Sequence, residues 1–206
     1  MRILLTSLLL FSAACSFSQD SLAYARLGGK QAPDISLYDT AGKKVKLSSF
    51  RGKVIYLDFW TTTCAPCIKL FPSEEKLSNR LQRMQLDTSI VIVKICSDCP
   101  PDEWKQIISK HHNTSVNLLL KGQNYSLKRK LHFVPFPTYY IIGKDFTFLG
   151  ADVARSDHEL IDYILFRAVE NISFSEAIKE AENFSQESDP RGWYRECKYK
   201  FENARK

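Results

Sequence analysis

The sequence predicts an α/β fold in which helices flank a central mixed β-sheet, with an extension at the C-terminus. Three observations carry this. Residues 54–59 (VIYLDF) and 90–95 (IVIVKI) are short apolar runs rich in strand formers, as expected for strands buried on both faces. Residues 65–83, between them, have helical composition and polar–apolar periodicity. Strand, helix and strand in that order make a βαβ unit with parallel strands.

The remaining elements follow the same alternation. Residues 19–32 read as an extended lead-in. Pro101 to His111 reads as a helix with Trp104, Ile107, Ile108 and His111 on one face, and Val116 to Leu120 as a short strand. Asn124 can cap a brief helix that runs to Leu131. Thr138 to Ile142 and Phe146 to Leu149 flank Gly143-Lys144-Asp145, a hairpin signal that makes the sheet mixed. Ser156 and Glu159 have the spacing of a capping box, which predicts a helix from there to about Val169. Ser175 to Glu182 has helical composition, and residues 188–192 (SDPRG) break it. The charged tail beyond, with Trp193, Tyr194, Tyr199 and Phe201, reads either as an appendix or as a docking segment.

Arg2, the apolar stretch Ile3 to Phe11 and the small residues Ser12, Ala13 and Ala14 form an export signal, too short to span a bilayer. Two processing sites fit: cleavage after Ser18, or a loose lipoprotein box that would leave Cys15 lipidated and membrane-attached. The expected organisation is a signal at 1–18, a folded domain at 19–170 and an extension at 171–206, acting as a monomer in the periplasm or cell envelope. At 44% hydrophobic and 25% charged residues, the 206-residue chain is not intrinsically disordered. Its net charge of +6 is spread out, and the longest basic cluster is Lys128 to Lys130, which argues against nucleic-acid binding.

Six cysteines are present, and four stand as C-x-x-C pairs, Cys64/Cys67 and Cys96/Cys99. In an exported protein such pairs are staples or redox chemistry. Cys64-Ala65-Pro66-Cys67 leaves an apolar strand and opens a helix, whose N-terminal partial positive charge and free N–H groups stabilise a thiolate. Cys64 is then the nucleophile and Cys67, one turn in, the resolving thiol, with exchange by thiolate attack on a partner disulfide. Pro66 suits the first helical turn. Zinc sites use the same spacing but need four ligands. Asp58, six residues before Cys64 in an apolar strand, reads as a buried carboxyl that moves the proton of the resolving thiol; the alternative is a strand-end residue facing water.

The pattern Asp58-Phe59-Trp60-x-x-x-Cys64-x-Pro66-Cys67 resembles the thioredoxin active-site segment, and Pro72 matches the kink proline of that helix. Residues 32–37 (APDISL), Gly42, Leu47 and residues 51–54 (RGKV) are similar to the opening of the TlpA/ResA-like branch and of the peroxiredoxins. Val134-Pro135-Phe136-Pro137-Thr138 resembles the cis-proline segment of this branch. Over about residues 30–168 the resemblance implies a thioredoxin-like fold with an inserted helix and strand, and a thiol–disulfide oxidoreductase that needs no cofactor. It further implies a cis Phe136–Pro137 bond beside the cysteine pair, and substrate binding by Trp60, Phe136, Pro137 and Thr138. The implied partners are disulfides of exported proteins, such as apocytochromes, and a membrane-linked thiol electron donor.

Two departures bear on partner choice. Thr63 stands where the family commonly has Trp, and Ala65 brings no acidic group beside Cys64. Thr61 and Cys64 also have the T-x-x-C spacing of peroxiredoxins, but Leu57 stands where those need proline, so a thiol peroxidase is the second enzyme reading. A metal-carrying, non-catalytic module is the third. Cys96 and Cys99 end the second apolar strand on the same sheet edge as Cys64. A structural disulfide, an auxiliary redox pair and a metal site with His111 or His112 all fit them. His132 could face the active site, Phe133 and Phe136 could form an apolar lip, and Cys197 reads as an unpaired thiol.

Overall fold

The computed structural model describes residues 26–111, 114–122, 125–131 and 135–186. The expected export signal, Cys15, His112, Asn124, His132, Phe133, Cys197 and the tail from 187 onward lie outside the described residues.

In chain order the strands are β1 (Ser36–Tyr38), β2 (Lys44–Lys46), β3 (Val54–Trp60), β4 (Ile90–Ser97), β5 (Val116–Leu120), β6 (Thr138–Ile142) and β7 (Phe148–Ala151). The α-helices are α1 (Ala65–Arg83), α2 (Pro101–Ser109), α3 (Tyr125–Leu131), α4 (Ile161–Val169) and α5 (Phe174–Gln186). One mixed sheet runs β2-β1-β5-β4-β3-β6-β7. β3, β4 and β5 are parallel, and β6 returns antiparallel against β3. The two apolar runs of the sequence, β3 and β4, are thus neighbours near the sheet centre. Every β3 residue is buried, as a strand covered on both faces requires.

Strand alternation divides the core. Tyr56, Ile92, Tyr139 and Ile141 face the side covered by α1, α4 and α5. Ile55, Leu57, Val93, Ile95 and Tyr140 face the side that holds Leu37, Leu47 and Leu131. Helix α5 belongs to the first layer: Ala177 and Ala181 are buried there. It starts in a capping box, with Ser173 Oγ accepting from the Glu176 N–H (3.3 Å) and Glu176 Oε2 accepting from the Ser173 N–H (3.0 Å). Arg167 and Tyr163 of α4 both donate to Glu180 of α5, at 2.8 and 2.7 Å.

Several boundaries differ from expectation. The Ser156/Glu159 box does not form. Ser156 is buried, a turn occupies 155–160, and α4 begins only at Ile161. β7 begins at Phe148, because the Phe146 N–H closes a turn onto Gly143 O (2.9 Å) and Phe146 sits at φ 72° with its ring in the core. Helix α2 ends at Ser109, two residues early, and His111 packs edge-on to Phe71 with ring centroids 4.9 Å apart.

Candidate active site

Parallel strands end on one edge, and here that edge collects the chemistry. β3 ends at Trp60 and leads through Thr61-Thr62-Thr63 to Cys64. β4 ends at Ser97 and leads to Cys99. β6 begins there, with Thr138 opposite Phe59. The Phe136–Pro137 peptide just before it is cis.

Cys64 and Cys67 form a disulfide with Cα atoms 5.3 Å apart. Cys64 is the N-cap of α1, and its Sγ accepts the Cys67 N–H at 3.2 Å, so the helix N-terminus points at this sulfur. Cys64 is partly exposed, whereas Cys67 is 1% exposed. That asymmetry suits one sulfur for attack by or on a partner and keeps the other for resolution. The approach loop is tied down: Thr62 Oγ1 donates to Glu103 of α2 at 3.2 Å, and the Thr61 and Thr63 hydroxyls meet at 3.1 Å.

Cys96 and Cys99 form a second disulfide, Cα atoms 5.9 Å apart. Cys96 lies directly across from Trp60 in the β3–β4 register. Trp60, Cys67, Phe71, Cys96, Cys99 and Trp104 make one apolar cluster, and Cys64 and Phe136 pack against it. Both disulfides and the residue before the cis-proline therefore share a single cluster. Trp60 is fully buried, edge-on to Phe71 with centroids 5.0 Å apart, which makes it the inner wall of the site. Thr138 is also buried, its hydroxyl donating to Pro135 O. Of the residues expected at the partner surface, Phe136 and Pro137 are the partly exposed ones. Among the described residues, no group of three His, Cys, Asp or Glu side chains is arranged to hold a metal.

Asp58 does not face water: it is 1% exposed. Register places Lys94 of β4 and Tyr139 of β6 on either side of it. Lys94, fully buried, donates to Glu74 of α1, and its Nζ stands 3.9 Å from Asp58 Oδ2. The Tyr139 hydroxyl donates to the other Glu74 oxygen at 3.4 Å. Burial pushes the Asp58 carboxyl well above the usual carboxylate range, the Glu74 charge pushes it further, and Lys94 pulls it back. Burial and the same two carboxyls hold the Tyr139 hydroxyl far above its ordinary value.

Sequence reasoning missed Glu74 and Lys94. Both left a signal. Lys94 is the lone charge in IVIVKI, as Asp58 is in VIYLDF. Glu74 continues the buried face of α1 set by Cys67, Leu70 and Phe71, and then by Leu77.

Residues 27–145 match the Redoxin family, which is more than half of the chain. The chain belongs to the Redoxin family. Within it, the chain is 29% identical over 117 residues to the thiol-disulfide oxidoreductase ResA of Bacillus thuringiensis subsp. konkukian, covering 57% of this chain and 64% of that one. It thus spans less than two thirds of that relative. A crystal structure from Bacteroides vulgatus, described as a thiol-disulfide oxidoreductase, superposes with TM-score 0.61 at 27% identity, covering 69% of this chain and 97% of the other. The thioredoxin domain of another Bacteroides vulgatus thiol-disulfide oxidoreductase gives TM-score 0.57 at 24% identity, covering 69% and 95%. The fold is thioredoxin-like, of the TlpA/ResA-like branch, as the motifs implied.

Proposed function

We propose that this chain is an exported thiol–disulfide oxidoreductase that reduces disulfides of other exported proteins, of the kind used in cytochrome c maturation. The observation that carries this is the cysteine pair at the N-terminus of α1. A partly exposed sulfur there is stabilised as a thiolate, and a buried sulfur stands one turn behind it. The relative named as a thiol-disulfide oxidoreductase supports exchange chemistry at this pair.

In the reduced protein the Cys64 thiolate attacks one sulfur of the partner disulfide. A mixed disulfide forms and the partner's other sulfur leaves as a thiolate. Cys67 loses its proton to Asp58 and attacks Cys64 Sγ, which releases the second partner sulfur and leaves Cys64–Cys67 oxidised. Two electrons pass to the partner. A dithiol donor on the membrane side then attacks Cys64 and expels Cys67 as a thiolate, which recovers the proton from Asp58. Asp58 is a base in one half-cycle and an acid in the other, which requires a carboxyl whose affinity for protons is raised toward the working pH. Phe136 and Pro137 offer the partner peptide an apolar, partly exposed edge beside the sulfur.

Trapping tests it. Cys67→Ala protein incubated with an oxidised model peptide should accumulate a mixed disulfide through Cys64, mapped by mass spectrometry. No adduct, or consumption of hydrogen peroxide by Cys64 in place of exchange, would reject the reading. Fractionation of cells making the tagged full chain tests export.

A further inference from the structure

Two carboxyls and one ammonium are buried together at Asp58, Glu74 and Lys94, each at most 1% exposed. If all three were ionised the cluster would carry a net negative charge in a low-dielectric core, so it holds one proton more than its ionised groups would. Geometry decides where that proton sits. Glu74 accepts from Lys94 through one oxygen and from Tyr139 through the other. Among the described residues neither oxygen of Asp58 accepts a hydrogen bond, and Lys94, at 3.9 Å, is beyond hydrogen-bond reach. The Glu74 charge beside Asp58 also disfavours a second ionised carboxyl there. Lys94 is also held where it is. Its Nζ lies 3.1 Å from the ring centroid of Phe71, on the same helix as Glu74, and 5.8 Å from that of Trp60.

We propose that Glu74 is a positioning residue for the proton-transfer site: by taking the hydrogen bond of Lys94 it leaves Asp58 only a longer contact with that cation and makes Asp58 the acid of the cluster. The proposal rests on the reading that Asp58 exchanges a proton with Cys67. In this arrangement Glu74 touches neither cysteine nor partner. It acts by setting how tightly Asp58 holds its proton, and so how readily Cys67 is deprotonated during resolution. The groups that face Asp58 are Glu74 from α1, Lys94 from β4 and Tyr139 from β6. On its own strand Tyr56 stacks on Tyr139 and donates to Ala154 O. The Arg155 and Asp157 charges reach Tyr56 from the turn after β7.

The test uses the full chain and two readouts. One is the titration of Asp58 followed by carbon-13 NMR of labelled aspartate carboxyls. The other is the pH profile of mixed-disulfide resolution in single turnover. Glu74→Gln frees Lys94 for Asp58 and removes a like charge. Both midpoints should fall by about one pH unit or more, the ordinary effect of a close opposite charge. Glu74→Asp keeps the charge and should keep the wild-type midpoints. Lys94→Met removes the cation and should move both midpoints upward, a change of opposite sign that a general loosening of the core would not produce. If Glu74→Gln folds poorly, Glu74→Met, which likewise frees Lys94 and removes the charge, takes its place. Unchanged Asp58 midpoints in both variants would overturn the proposal. If Asp58→Asn leaves the wild-type pH profile intact, the Asp58 reading fails, and the proposal as a statement about catalysis fails with it. If Asp58→Asn flattens the profile while Glu74→Gln leaves its midpoint in place, only the role of Glu74 fails.

Discussion

Replacing Asp58 with asparagine should stabilise the protein, and the gain should grow with pH. The unfolded carboxyl titrates near ~3.9. In the fold its proton is held well above that value, chiefly by burial and then by Glu74. Between those two values the folded state binds a proton that the unfolded state has released. Stability therefore falls as pH rises, and is fully retained only below the unfolded value. The slope is about 1.4 kcal/mol per pH unit while Asp58 stays protonated in the fold. Asparagine keeps the shape, with no charge to bury. Below about pH 3.9 the two proteins should be nearly equal in stability. The variant's lead should widen toward pH 6.5, by up to about 1.4 kcal/mol, or roughly 3–6 °C in Tm for a domain of this size, for each pH unit over which Asp58 stays protonated in the fold. Thermal denaturation of both proteins across that range, in the oxidised state, measures it. An Asp58→Asn protein less stable than wild type at pH 6.5, or a difference that does not change with pH, would refute the burial argument.

Other consequences can be checked directly. Cys64→Ser should abolish reduction of a model disulfide such as insulin, whereas Cys67→Ser should leave the first attack intact and stall at the mixed disulfide. Removing Cys96 and Cys99 together should cost about 2 kcal/mol by the chain-entropy argument for so short a loop and leave insulin reduction in place; loss of activity with stability unchanged would assign the pair to redox traffic. Ser173→Ala removes the cap of α5 and should cost about 1 kcal/mol, with faster hydrogen exchange in α5 and little change at Cys64.

Much of this site could be read before the fold was known, because its chemistry is encoded locally. Cys64 and Cys67 sit where an apolar strand turns into a helix, and both their spacing and Pro66 are visible in the sequence. The cis peptide at Pro137 could be read only through family resemblance. Glu74 was not legible as a site residue. Its burial depends on which face of α1 meets the sheet, and its partner Lys94 comes from a strand twenty residues away in sequence. The two Ser-x-x-Glu motifs show the same limit from the other side. Ser173 and Glu176 cap a helix, whereas a turn follows Ser156 and α4 begins only at Ile161, so one local pattern has two outcomes in two tertiary settings. Phe146 looked like the start of a strand because it is aromatic, yet the fold uses it to close a turn and fill the core.

The central claim is that Cys64–Cys67 donates electrons to partner disulfides, and its reduction potential tests this most directly. Equilibration in thiol buffers, with every cysteine mapped by mass spectrometry, should place the pair near or below thioredoxin's ~−270 mV. A value near ~−120 mV, that of a strong oxidant, would contradict the account and make the protein one that installs disulfides.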